Sequence, residues 1–270
     1  MKFSGTVTLQ YDTPFSLFSA TEWKEGLDWL VSQGFDGAEV CISNYEGMDV
    51  EGLKKELVKR NLECSTISTG QSRSLENISL LHEGKGLLKA QERLKQHIDA
   101  AVILESKVTL GLLRGLGTLE HQEEELDRLA RNLEPVIDYA QQKNVTIVLE
   151  AINRYETALL NSSEAVMDFI EKKLGNPECV GVLWDIFHAN MEDADFAQAI
   201  GRMGTCLKHV HIADSNRMFP GYGHIDFEGI VKGLKKAGYQ EYMSFECLNL
   251  PDIWTIKRDS GTFIRRMREL

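Results

Sequence analysis

The chain has 270 residues, 43% hydrophobic and 26% charged, enough for one large domain or two small ones around a substantial core. No stretch approaches the roughly 18 uninterrupted apolar residues of a membrane span, and the polar start Met-Lys-Phe-Ser-Gly-Thr-Val-Thr is too short in apolar run for a signal peptide, so a cytoplasmic protein without a membrane partner is expected. The formal net charge of −11 opposes non-specific attraction to a polyphosphate backbone and disfavours a nucleic-acid partner.

The first strand is expected at residues 3–7. A loop containing Pro14 follows, then a helix from about Thr21, with Thr21 as N-cap and Trp23, Leu27, Leu30 and Val31 at helical spacing. Gly34 ends that helix. Residues 37–42 read as the second strand, 49–60 as a helix with Leu53 and Leu57 on its apolar stripe, and 62–67 as the third strand. The long polar loop 68–84 includes Thr69-Gly-Gln-Ser-Arg73, and loops of this kind after barrel strands are where substrate contacts and lids sit. A helix over 85–104, a fourth strand over 107–112 and the turn Leu113-Arg-Gly-Leu-Gly117 come next. Pro135 marks a kink or break in the helix expected over 119–143.

Residues 145–157 then read Val-Thr-Ile-Val-Leu-Glu-Ala-Ile-Asn-Arg-Tyr-Glu-Thr, a run of β-formers that stops on the carboxylate of Glu150. A helix begins near Asn161-Ser-Ser-Glu164 and ends by Gly175. A strand over 180–185, a helix over 193–203, a strand over 207–211, a helix over 227–237, a strand over 242–246 and a helix over 253–268 complete the chain. Strand and helix alternate eight times without an obvious linker, which predicts a single α/β domain over 1–270, a (β/α)8 or TIM barrel. The five cysteines, Cys41, Cys64, Cys179, Cys206 and Cys247, are odd in number and contain no Cys-x-x-Cys pair. They read as reduced small hydrophobes, not as a zinc cluster or a disulfide frame.

Strand parity carries the functional reading, because side chains alternate between the two faces of a strand. Glu150 shares its face with Val148 and Thr146, Asp185 with Leu183 and Gly181, His211 with His209, and Glu246 with Ser244 and Tyr242. The opposite faces are large and apolar. In a parallel barrel, helices cover the outer face and polar groups gather at the C-terminal mouth. Three carboxylates and one imidazole converging there form a hard, oxygen-rich site for one divalent ion, with Mn²⁺ the first choice and Mg²⁺, Co²⁺ or Zn²⁺ as alternatives. A network of buried acids and histidine without an ion would still need cations to compensate three acids.

The stretches Leu149-Glu-Ala-Ile-Asn-Arg-Tyr-Glu-Thr157, Trp184-Asp-Ile-Phe-His-Ala-Asn-Met-Glu192, His209-Val-His-Ile-Ala-Asp-Ser-Asn-Arg217, Pro220-Gly-Tyr-Gly-His-Ile-Asp-Phe227 and Ser244-Phe-Glu246 cover the C-terminal half in order. In them the chain resembles the ketose 3-epimerases and their sugar-phosphate relatives, within the xylose isomerase-like barrels. The N-terminal half matches only in its alternation. The resemblance implies an isomerase that inverts the carbon next to the carbonyl of a ketose or ketose phosphate through an enediolate. Glu150, Asp185, His211 and Glu246 would hold the metal, and Glu150 and Glu246 would exchange protons on opposite faces of the substrate. Glu156, His188 and Arg217 would grip oxygens near the carbonyl, and the protein would be a dimer or tetramer.

His209, one layer deeper than His211, is expected to be a structural hydrogen-bonding residue, and His224 and Asp226 to order their own loop. Gly86, Gly111, Gly115 and Gly117 have no phosphate-binding spacing. Arg73 and Arg114 are the basic residues placed to reach a substrate phosphate; a solvated Arg73 and an Arg114 paired with an acid are the plain alternatives. An aldose–ketose isomerase would use the same metal site. An abasic-site endonuclease needs extra histidines from the early strands, whose ends Val40-Cys-Ile42, Thr66-Ile-Ser68 and Leu110-Gly-Leu112 supply none. A non-catalytic sugar-binding barrel would be expected to have lost Glu150 or Glu246.

Overall fold

Short runs rich in β-branched and apolar residues form eight strands: β1 Lys2–Thr8, β2 Gly37–Cys41, β3 Glu63–Ser68, β4 Lys107–Leu110, β5 Ile147–Glu150, β6 Val180–Asp185, β7 Leu207–Ile212 and β8 Tyr242–Phe245. A computed structural model describes residues 1–270, and in it the strands pair in sequence order, all parallel, with β1 also joined to β8. The sheet is therefore a closed barrel. Around it lie α1 (Trp23–Gln33), α2 (Val50–Lys59), α3 (Gly70–Glu76), α4 (Gly84–Leu104), α5 (Gln122–Lys143), α6 (Ser163–Asp168), α7 (Ile186–Glu192), α8 (Phe196–Met203), α9 (Phe227–Lys236) and α10 (Ile253–Glu269). None of these helices is long and apolar enough to cross a membrane.

The alternation along each strand divides the core as the sequence predicts. Trp184 of β6 turns outward and meets Phe196 of α8 edge-on at 5.4 Å, while Phe245 of β8 packs against Phe263 of α10 at 5.6 Å. Burying a side chain of this size contributes roughly 1.5–3 kcal/mol, so the outer layer is the main source of stability. Inward-facing positions are mixed, Val148 and Leu183 standing among polar residues: Thr66 and Thr109 share a hydrogen bond of 2.9 Å, and Glu39 reaches across from β2 to His209 of β7 at 3.1 Å.

Several boundaries differ from the sequence expectation, each for a local reason. Thr21 is not the N-cap; Ser19 and Glu22 form a capping box around the 3-10 turn Ala20–Glu22, and α1 starts only at Trp23. The loop over 68–84 contains α3, and α7 follows β6 directly because Asp185 Oδ1 accepts from the backbone of Phe187 at 2.8 Å and of His188 at 3.4 Å. Asp195, not Asp193, caps α8 through Gln198 N–H. Asp193 instead accepts from Trp184 Nε1 at 2.9 Å and from Ser163. Pro135 lies within an unbroken α5, whose buried face, Leu129, Leu133, Val136, Ile137 and Ala140, is held against the barrel across the missing N–H.

Helix α3 is fastened to the barrel flank by a buried chain of hydrogen bonds. His97 of α4 meets Ser72 Oγ through Nε2 at 2.9 Å and Tyr45 Oη through Nδ1 at 2.7 Å. Burial is the main influence on this imidazole and, helped by nearby Arg93, pushes its pKa down to about 3. The unfolded chain binds a proton here below pH ~6.5 and the native chain does not until about 3. The unfolded state therefore holds more protons in that window, and stability falls as pH falls through it, by about 1.4 kcal/mol per unit from this group. Between pH 7 and pH 5, wild type should lose about 2 kcal/mol more than His97→Gln in urea titrations. Equal losses in the two proteins would remove His97 as the cause.

Candidate active site

Four strands deliver four side chains to one point. Glu150 is the last residue of β5, Asp185 the last of β6, His211 the fifth of β7, and Glu246 follows β8, its N–H donated to Ile212 O at 3.2 Å. His211 pairs in register with Asp185 on one side and Ser244 on the other, so these inward positions are level. From His211 Nδ1 the nearest carboxylate oxygens of Glu246, Glu150 and Asp185 are 3.3, 3.4 and 3.8 Å away. One ligand atom from each residue falls within 4.8 Å of all the others. Gly111 at the end of β4 makes room, since a Cβ there would lie 2.5 Å from Glu150 Oε2.

Two buried atoms of this cluster, Asp185 Oδ2 and His211 Nδ1, have no hydrogen-bond partner. Buried polar atoms are rarely left so, and each costs about 1–3 kcal/mol where it happens. Burial is the largest influence on Glu150 and raises its pKa; the nearby His211 imidazole offsets part of that, and the Glu246 charge adds to it. Burial also works against ionised Asp185, but His188, Arg217 and His211 outweigh it and hold the carboxyl below its usual range. For His211, burial disfavours the imidazolium, yet Glu39, Glu246 and Glu150 raise it well above the ordinary value. Three oxygen donors and one nitrogen, all turned inward and two of them without partners, have the chemistry of a divalent-cation site.

A second tier surrounds the cluster. Arg217 has φ of +59°, a left-handed conformation uncommon for a non-glycine residue. Asp214 shapes that loop by accepting from the backbone of Ser215, Gly221 and Ile225, and Arg217 N–H closes a turn on Asp214 O at 2.8 Å. The Arg217 guanidinium is sandwiched between the rings of Phe15 and Phe187, 5.0 and 4.6 Å from their centroids. It bonds Glu246 through Nη2, lies 3.4 Å from Asp185 Oδ2, and meets His188 Nε2 at 3.0 Å. Asn153 Nδ2 donates to Glu156 Oε1 at 3.0 Å and to His188 Nδ1 at 2.6 Å, with its own Oδ1 taken by Tyr155 N–H. Asn153 and Arg217 both only donate here, so a neutral His188, with one lone pair, accepts from one of them alone.

The structure thus brings Glu150, Asp185, His211, Glu246, Glu156, His188 and Arg217 together. Neither Arg73 nor Arg114 lines the cavity beside this group, although Arg114 lies near enough to Glu150 to feel its charge. The cavity, of about 330 Å³, opens beside Glu246 and Glu39, lined on the far side by Thr6, Cys41, Ser68 and Gln71, and none of its lining residues is basic. Arg114 is wholly buried, gives Nη2–H to Leu159 O at 3.0 Å, and has its pKa pushed down to about 10 by burial. Arg73 is half-buried on α3, outside the cavity lining.

Asn153 entered the sequence reading only by its place just beyond the strand that ends on Glu150, with no role given to it, and Glu39 had no part in that reading. Glu39 carried a signal, being the only acidic or basic side chain of β2 and standing on the Gly37, Glu39, Cys41 face, opposite Ala38 and Val40. His209 takes the structural role expected of it, with Nε2 3.1 Å from Glu39 Oε2.

Comparison with known proteins agrees with this geometry. The xylose isomerase-like TIM barrel family matches residues 27–266. A ketose 3-epimerase of Arthrobacter globiformis is 28% identical over 230 residues, covering 82% of this chain and 78% of that protein. An L-ribulose 3-epimerase of Mesorhizobium japonicum is 29% identical over 217 residues, covering 79% of this chain and 71% of that one. The solved structure of an L-ribulose 3-epimerase superposes with a TM-score of 0.85 at 26% identity, over 99% of this chain and 94% of the other.

Proposed function

The chain belongs to the xylose isomerase-like TIM barrel family, and from that premise we propose that it is a divalent-cation-dependent epimerase of uncharged ketoses, inverting the carbon next to the carbonyl. The observation that carries the reading is the cluster itself: Glu150, Asp185, His211 and Glu246 within 4.8 Å, with Asp185 Oδ2 and His211 Nδ1 unpartnered. Those four would hold the cation, Mn²⁺ by preference, with Co²⁺ or Mg²⁺ able to replace it. Bound there, it would polarise the carbonyl and the neighbouring hydroxyl oxygen and offset the charge of the enediolate.

The remaining chemistry belongs to the chain. One glutamate removes the proton from the carbon beside the carbonyl, leaving its electron pair in the enediolate; the other returns a proton to the opposite face, and the roles exchange in the reverse direction. The environments of Glu150 and Glu246 suit such a division, since burial raises the first while Arg217 bonds the second. Arg217 and His188 are aimed to grip substrate oxygens, and a hydroxyl entering between them accepts the hydrogen bond that His188 cannot take. Asn153 holds Glu156 and His188 in place for this.

The cavity lining supports an uncharged substrate. A phosphate carries close to two negative charges and is usually held by arginine, lysine or several N–H groups. The far side of the cavity instead offers Thr6, Ser68 and Gln71, which suit hydroxyls. In heavy water with Mn²⁺, free ketoses should acquire one solvent deuterium at the carbon next to the carbonyl, with inversion and the carbonyl unmoved. The corresponding ketose phosphates should react at least tenfold more slowly in kcat/KM, about 1.4 kcal/mol in the barrier. An aldose product would make the chain an isomerase, and no exchange with any ketose would end the proposal.

A further inference from the structure

The strongest unassigned group is Glu39. Its carboxylate is 1% exposed, sits in the middle of β2, and reaches across the barrel to two imidazoles on β7. Its oxygens lie 3.1 and 3.2 Å from His211 Nε2, and Oε2 is also 3.1 Å from His209 Nε2. The two rings stand at 85° with centroids 5.3 Å apart, so both can aim at one carboxylate. No arginine or lysine pairs with it; its only ionic partners are these histidines.

We propose that Glu39 is a positioning residue for the cation site, fixing His211 in the tautomer that keeps its proton on Nε2 and turns the Nδ1 lone pair toward Glu150, Asp185 and Glu246. The inference rests on the function proposed above. An ionised carboxylate only accepts, so each imidazole facing it presents an N–H at Nε2, and Nδ1 is the atom His211 is left to offer a cation. That is the atom left without a partner at the centre of the cluster. Without Glu39, three carboxylates on the Nδ1 side would draw the single ring proton toward themselves, and the ligand atom would be blocked. His209 supplies the second N–H that keeps the buried Glu39 carboxylate in place.

The sharpest test is Glu39→Gln. The amide accepts from one imidazole but donates to the other, so one ring must surrender its Nε2 proton and carry it on Nδ1. Two readouts separate positioning from general support of the fold. Titration of the metal-free protein with Mn²⁺ in a calorimeter should show affinity reduced roughly 10- to 100-fold in E39Q, with the protein still folded by circular dichroism. Nitrogen-15 imidazole spectra of the Zn²⁺-loaded wild type should show His211 protonated at Nε2, and in E39Q a proton moved to Nδ1 of His211 or His209. The spectrum of the wild type stands even if E39Q fails to fold: a proton on Nδ1 of His211 would falsify the assignment outright. Unchanged Mn²⁺ affinity in a folded E39Q overturns this inference alone, and so does a stoichiometry of two ions per wild-type chain falling to one in E39Q, which would make Glu39 a ligand. A wild-type chain that takes up no divalent ion sinks the proposed function and this inference with it.

Discussion

Glu150→Gln and Glu246→Gln are each expected to lower kcat by at least about a thousandfold, roughly 4 kcal/mol of transition-state stabilisation. Glutamine keeps the shape of the side chain and loses both the charged ligand oxygen and the ability to carry a proton. The double variant should be little worse than either single one, because residues acting as a unit do not contribute additively. Glu150→Gln should not harm the fold. Burial and the neighbouring Glu246 already penalise ionised Glu150, so Glu150→Gln removes a strained charge, and the metal-free protein should unfold at an equal or higher temperature than wild type. Lost turnover with retained stability is the pairing that distinguishes a proton carrier from a structural acid. If either variant turns over substrate at near the wild-type rate, the two-acid assignment is wrong.

What could be read in advance was what strand periodicity encodes. Glu150, Asp185 and His211 end or nearly end their strands, and parity alone puts them inside, because outward neighbours such as Leu149, Trp184 and Val210 are needed to pack the helices. Glu39 obeys the same parity, but it stands in mid-strand with no loop motif beside it. Its role exists only through His209 and His211, which are 170 and 172 residues away in sequence. Local pattern cannot report such a pairing. Helix α7 was missed because Asp185 reads as a ligand, and only the structure shows its other oxygen capping the helix behind it. Arg114 follows a barrel strand, where a cation reads naturally as a substrate contact. It is instead folded under Leu159, a placement decided by the 3-10 turn Leu112–Arg114.

The cation dependence should be as large an effect as the loss of either glutamate. Wild type stripped by a chelator should lose its activity and regain it with Mn²⁺, Co²⁺ or Mg²⁺, and saturation at a hundred times the dissociation constant should stabilise the native state by about 2.7 kcal/mol. Asp185→Asn tests the cluster with little risk to the fold, because the two oxygens of Asp185 have separate tasks. Oδ1 caps α7 through Phe187 N–H at 2.8 Å, and asparagine is as good an N-cap as aspartate. Oδ2 is the unpartnered atom 3.4 Å from Arg217 Nη2. Replacing it with an amide nitrogen removes a ligand and sets a donor against the guanidinium, which keeps its bond to Glu246. Calorimetric titration should therefore show Mn²⁺ affinity reduced about a hundredfold or more, about 2.7 kcal/mol, while the helical circular dichroism is retained. Unchanged affinity in this variant, or full activity in the chelated wild type, would rule out the cluster as the cation site.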